Sequence, residues 1–114
     1  MEKLVEQALL FDFYGELLTE HQRQVYEDVV LNDYSLSEVA ADLGISRQGM
    51  HDMVKRSTRI LEDYEEKLRL VQKFEAVKEK VHRIHLLTQQ PREAVDGETM
   101  ETIAAISHEI LEEL

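Results

Sequence analysis

The sequence predicts an all-α protein, and three observations carry that expectation. Apolar residues recur mostly three and four apart rather than alternately. One proline and four glycines are spread over 114 residues, so chain breaks are few. Short polar motifs that satisfy the free amides of a helix start stand directly before the apolar runs.

The elements follow in order. Leu4, Val5, Ala8, Leu9 and Phe11 to Phe13 predict a short helix that Gly15 ends. Thr19-Glu20-His21-Gln22 is a capping box, with the Thr hydroxyl accepting an orphan amide and Gln22 reaching back. It opens a helix over about 20–31 whose buried stripe is Val25, Tyr26, Val29 and Val30. Asn32-Asp33 breaks that helix, and Ser35-Leu36-Ser37-Glu38 reads as a second capping box before a helix of two turns. Leu36, Val39, Ala40 and Leu43 are expected to face inward from it. Gly44 ends this helix in a left-handed conformation, and Ser46 caps the next. No proline follows before Pro91, so an amphipathic helix is expected over about 47–88, with a break at Asp63 to Glu66 as the alternative to a continuous rod. Gln89-Gln90-Pro91 and Asp96-Gly97 bracket a hinge, and Met100, Ile103, Ile106, Ile110 and Leu114 mark a last helix over about 97–114. The expectation is a single domain over 1–114, with a helix-turn-helix core at about 19–60.

Composition limits the function. There is no cysteine, which excludes disulfides, thiolate metal sites and thiol catalysis. Apolar runs such as Ala8-Leu9-Leu10-Phe11 are far shorter than the roughly 18 residues of a membrane span, and the start of the chain carries no secretory pattern, so a cytoplasmic protein is expected. His82 and His85, with Glu79 one turn earlier, share a helix face but lack a third strong ligand, so no metal or other cofactor is expected. No glycine-rich phosphate loop, ordered triad or carboxylate pair in an apolar pocket appears, so the chain reads as non-enzymatic.

Charge is distributed unevenly. The chain has a formal charge of −11, yet residues 47–60 hold four basic side chains and one acidic one, while 1–46 hold ten acids and two bases. At about 100° per residue, Arg47, Gln48, His51, Lys55, Arg56 and Arg59 share one half of the helix circumference. Met50, Met53, Val54, Ser57, Ile60 and Leu61 share the other. A short helix, a tight turn at Gly44-Ile45-Ser46, and a second helix with an apolar back and a cationic front make up a helix-turn-helix. In that reading double-stranded DNA is the partner. Arg47, Gln48 and His51 reach base edges, where Arg forks onto guanine and Gln onto adenine. Lys55, Arg56 and Arg59 track the phosphates.

The stretch from Leu18-Thr19-Glu20-His21-Gln22-Arg23 through Tyr34-Ser35-Leu36-Ser37-Glu38-Val39-Ala40-Ala41-Asp42-Leu43-Gly44-Ile45-Ser46-Arg47-Gln48 resembles sigma-factor region 4. Over nearly the whole chain, Phe11-Asp12-Phe13-Tyr14, Asp33 to Glu38, Glu62 to Leu68 and Gln72-Lys73-Phe74 resemble the YlxM family of small bacterial proteins. The resemblance implies a sigma-region-4-like fold, a DNA-binding regulatory role and a link to the signal recognition particle pathway. Gly49 departs from that pattern, which favours alanine there, and costs up to about 1 kcal/mol of helix stability.

The acidic balance opposes a polyanion and makes weak binding by a monomer the expectation. It also motivates the alternative, an accessory factor of the signal recognition particle pathway acting through protein or ribonucleoprotein contacts. Leu61, Tyr64, Leu68, Val71, Phe74, Val77, Val81 and Ile84 continue the apolar stripe beyond the helix-turn-helix, so a homodimer is expected.

Overall fold

The computed structural model describes residues 2–114, which divide into two compact units, one ending at Arg69 and the other running from Leu70 to Leu114. Among the described residues the regular structure is entirely helical.

In the first unit, α1 spans Lys3–Tyr14. Gly15 does not end it in a left-handed conformation: its φ is −57°, and the chain winds straight on into a tight turn, Gly15–Leu17. What favours glycine there is the ring of Phe11, which a Cβ would crowd at 3.1 Å. Helix α2 spans Glu20–Tyr26 behind the expected capping box, with Gln22 N donating to Thr19 Oγ1 and Thr19 N to Gln22 Oε1. It continues through a π-helical turn, Glu27–Leu31, that closes with Asn32 N donating to Glu27 O. Asp33 then takes a φ of 55°, a left-handed conformation that Asp tolerates better than most residues.

Helix α3 spans Leu36–Leu43. Ser35 occupies its N-cap position, but no side-chain cap bond forms, so the second capping box is not made. Leu43, expected inside, is 39% exposed. It lies in the last turn, where Ile45 rather than Leu43 packs against the core. Gly44, at φ 70°, closes the helix in a Schellman arrangement: Ile45 N donates to Ala40 O at 3.0 Å and Gly44 N to Ala41 O at 3.3 Å.

Helix α4, Arg47–Leu68, is the centre of the first unit, because α1, α2 and α3 all pack on it. Its back supplies Met50, Ser57 and Leu61, all fully buried. Val25, Val39, Ala40 and Met50 form the heart of the core, with Val29, Leu36, Ile45, Met53 and Val54 around them. Aromatic contacts tie α1 in. Phe11 stacks on Tyr26 at 5.5 Å, Tyr14 stacks on Tyr64 at 6.0 Å, and the Tyr14 hydroxyl donates to Glu65 Oε1 at 2.6 Å.

The helix expected over about 47–88 is two helices. The interruption falls at Arg69 and not between Asp63 and Glu66, where the backbone ladder is intact. Arg69 takes φ 54° and ψ 32° while its amide donates to Glu65 O, and α5 then runs Leu70–Thr88. No glycine or asparagine marks this position, so the left-handed turn works against the residue's own preference by roughly 1–2 kcal/mol.

In the second unit α5 is followed by a short turn at Arg92–Ala94 and by α6, Gly97–Glu113, which packs against α5 through the buried Ile106. Asp96 caps α6, accepting from Thr99 N at 2.9 Å and Thr99 Oγ1 at 3.0 Å. These bonds hold its carboxyl below the usual carboxylate range.

Two outcomes follow from the first core. Burial pushes the Tyr26 phenol up to about 12, reinforced by the Glu62 carboxylate and opposed by the Thr58 hydroxyl. Below the ordinary value of 10.0 both states keep the proton and the contribution to stability is whole. Between pH 10 and about 12 only the unfolded chain gives it up, so stability falls as pH rises through that window. A tyrosinate absorbance titration should show a late-titrating phenol that is lost in Tyr26→Phe. The Ser57 hydroxyl is fully buried and has no hydrogen-bond partner among the described residues. Ser57→Ala should therefore stabilise the fold by about 1 kcal/mol in urea denaturation.

Candidate nucleic-acid interface

The site is built from the turn outward. Gly44 in its left-handed conformation lets α3 stop within one residue, and Ile45 drives the chain back onto the core. Ser46 then caps α4, its Oγ accepting from Gly49 N at 2.9 Å, while its carbonyl accepts from Met50 N at 3.0 Å. The amides of Arg47 and Gln48 are left at the open end of the helix, where the helix dipole favours an anion.

The helix places the predicted side chains as their periodicity implies. Arg47, Gln48, His51, Lys55, Arg56 and Arg59 are all exposed, while Met50, Ser57 and Leu61 on the opposite side are sealed from water. Among the described residues, no carboxylate lies within 4.0 Å of Arg47, Lys55, Arg56 or Arg59. Four cations thus stand on one face without a carboxylate in ion-pair contact, an arrangement open to an anionic partner, although Glu6, Asp52, Glu62 and Asp63 line the same groove.

The same face has a feature that the sequence reading passed over. Asp52, the single acid in the segment, sits among the polar side chains of the front: it accepts from Gln48 Nε2 at 3.0 Å, and its Oδ1 is 3.9 Å from His51 Nδ1. Gln48 keeps its carbonyl oxygen and its second amide hydrogen, the pair a forked contact to adenine needs. The signal was present in sequence as a Gln-Asp pair four residues apart on one helix face. The positive character of the front is also limited in length, because Glu62, Asp63 and Glu66 take over the same half of the circumference farther along.

Tertiary packing adds a second wall. The start of α1 brings Lys3, Glu6 and Gln7 alongside His51, Lys55 and Arg59, leaving an open groove of about 1140 Å³. Nothing in local sequence pairs Lys3 with α4, since the two lie more than forty residues apart. Among the described residues, no cluster of three or more His, Asp or Glu is arranged to hold a metal ion, and His82 and His85 gain no third ligand. No helix among them is long and apolar enough to cross a membrane.

Comparison with known proteins places this geometry in a family. Residues 1–103 match the UPF0122 family, described as a helix-turn-helix protein, YlxM / p13 like. A UPF0122 protein from a Thermoanaerobacter species is 45% identical over 106 residues, 92% of this chain and 91% of that protein. Another, from Caldanaerobacter subterraneus, is 52% identical over 77 residues, 68% of this chain and 66% of that protein. A third, from Halalkalibacterium halodurans, is 42% identical over 107 residues, 93% of this chain and 92% of its own length.

The first turn of α4 generates a test of its own construction. A Cβ added at Gly49 would lie 3.0 Å from Ser46 Oγ, the atom that caps the helix. Gly49→Ala therefore gains about 1 kcal/mol of helix propensity and gives up a cap contribution of about the same size. Its melting temperature should stay near that of the wild type. In a Ser46→Ala background, where the crowding is gone, the same substitution should stabilise by about 1 kcal/mol.

Proposed function

The chain belongs to the YlxM / p13-like family of helix-turn-helix proteins, and on that premise we propose that it is a cytoplasmic regulatory protein that binds double-stranded DNA through the front of α4. The observation that carries this reading is the exposed face of Arg47, Lys55, Arg56 and Arg59, free of carboxylate partners among the described residues, on a helix whose back is fully buried.

Each side chain has a role in it. Arg47, at the first position of α4, and Gln48, steadied by Asp52, reach the base edges at the floor of a major groove, with His51 beside them. Lys55, Arg56 and Arg59 lie progressively along the helix and meet the sugar–phosphate backbone, fixing register without reading sequence. The free amides at the start of α4 receive a phosphate. Catalysis has no part in this role.

The net charge of −11 sets the character of the binding. At long range the acidic surface repels DNA; at contact distance the cationic face dominates, because exposed charges farther than about 8–10 Å are screened at physiological salt. One subunit binds weakly, and a homodimer compensates by presenting two reader helices to two half-sites. The acidic surface elsewhere supports a second reading, an accessory factor of the signal recognition particle pathway that meets a basic protein or ribonucleoprotein.

Duplex binding at low salt separates the two. On sequences selected by the wild type, Arg47→Ala and Gln48→Ala should each lose roughly 1–3 kcal/mol of discrimination and shift the preferred sequence. Lys55→Ala or Arg59→Ala should weaken binding on all sequences alike and lower the salt dependence by about one counterion each. Equal, feeble affinities for the wild type and Arg47→Ala would remove the DNA-binding reading and leave the accessory factor.

A further inference from the structure

Helices α1 and α4 run side by side in the same direction, and the bonds between them fix their relative level. Tyr14 stacks on Tyr64 and donates to Glu65, 51 positions farther along the chain. Two turns earlier, the Tyr26 hydroxyl lies between Gln7 O, at 3.5 Å, and the Thr58 hydroxyl, again 51 positions beyond Gln7. The offset is the same at both levels. Carried back to the start of α1, it sets Lys3 beside Val54, one residue short of Lys55.

That level has a meaning for a helix that enters DNA by its first turn. Val54 stands seven residues behind Arg47, about 10 Å along the axis at 1.5 Å per residue. The major groove is roughly 8.5 Å deep. When Arg47 is at the base edges, Lys3 is therefore at the rim, where the phosphates lie. Lys3 is exposed, and among the described residues no carboxylate comes within 4.0 Å of it. It shares the lining of the open groove between α1 and α4 with Lys55, from the opposite wall.

We propose that Lys3 is a DNA-contacting residue supplied by a second helix: one strand of the duplex crosses the mouth of this groove, with Lys3 and Lys55 on either side of its phosphates. The acids of the groove are spread along its length, and their levels favour the mouth. Glu62 and Asp63 lie eight and nine residues behind Val54, about 12 Å or more, beyond the screening length of about 8–10 Å at physiological salt. Asp52 accepts from Gln48. Glu6, one turn behind Lys3 on the same wall, is the acid nearest the strand and opposes it. Contacts from two helices at one rim fix how deeply α4 enters, which a row of cations on α4 alone does not.

The inference rests on DNA binding by the front of α4 and adds where the strand lies. Its test is duplex binding by the full chain across a salt series, on sequences selected by the wild type and on unrelated ones. Lys3→Ala should weaken binding equally on all of them and reduce the slope of log affinity against log salt by about 0.9, with sequence preference unchanged. Lys3→Arg should keep the wild-type slope, and Glu6→Gln should strengthen binding. Lys73→Ala on α5 removes the same charge at a position given no contact, and should leave the slope as it is. All four side chains are exposed, so helix content by circular dichroism should not change. A wild type without salt-sensitive duplex binding would overturn the DNA reading and this contact with it. A wild type that binds, with Lys3→Ala matching it or falling no further than Lys73→Ala, would overturn the Lys3 contact and leave the DNA reading standing. Indifference to Glu6→Gln would put the strand outside the groove mouth and overturn the contact as well.

Discussion

Helix α4 is gripped from behind by three helices, and the rest of the first unit depends on that grip. Met50 and Leu61 are completely removed from water, each burial contributing roughly 1.5–3 kcal/mol, and they lie on the same side of the helix as Ser57. A helix held this way cannot rotate: turning it by one residue, about 100°, would bring Met50 and Leu61 toward solvent and carry Lys55 or Arg56, depending on the sense of the turn, toward the core, at a cost of several kcal/mol. The orientation of the cationic face is therefore a consequence of packing on the opposite side. The buried Ser57 is the one polar intrusion in that back, and its small volume leaves room for close approach while its hydroxyl goes unsatisfied.

Local chemistry at the Gly44–Ser46 turn sets where this gripped helix begins. The left-handed glycine, the paired bonds from Gly44 and Ile45 back to Ala41 and Ala40, and the Ser46 cap each satisfy backbone groups that a helix end would otherwise leave open. Ile45 links the turn to the core, so the turn and the packing reinforce one another. Asp52 plays a comparable part on the exposed side. An acid within a cationic face costs attraction to any polyanion, but its bond to Gln48 narrows the conformations of a long flexible side chain, lowering the entropy lost on making a specific contact.

The second unit follows a different logic. α5 and α6 have apolar surface beyond the seam that joins them, and the charges on the two helices are opposite in sign, as the isolated Lys80–Glu113 pair already shows. A hairpin of this kind buries too little to be self-sufficient, because two helices share only one seam. The chain therefore divides its work: a first unit with a closed core that presents a polar face, and a second whose apolar residues extend beyond its own seam.

Much of the first unit was written in sequence because its determinants are local. The capping box at Thr19, the left-handed Gly44, the Ser46 cap and the split of α4 into a polar front and apolar back each depend on residues within a few positions of one another, and periodicity reports them directly. Other features depended on distance. That Leu43 stays exposed while Ile45 fills the core was decided by where the chain turns back, not by helical phase. The bare N-cap at Ser35 shows that a motif supplies the groups for a bond without ensuring that the backbone brings them together. The groove that sets Lys3 and Gln7 beside Lys55 and Arg59 joins segments far apart in the chain, and no local pattern encodes it. Arg69 is the plainest case. Nothing in its chemistry favours a left-handed turn, so sequence periodicity runs through it unbroken, and only the balance of packing energies along the folded chain, which exceeds a local cost of roughly 1–2 kcal/mol, decides that the helix ends there.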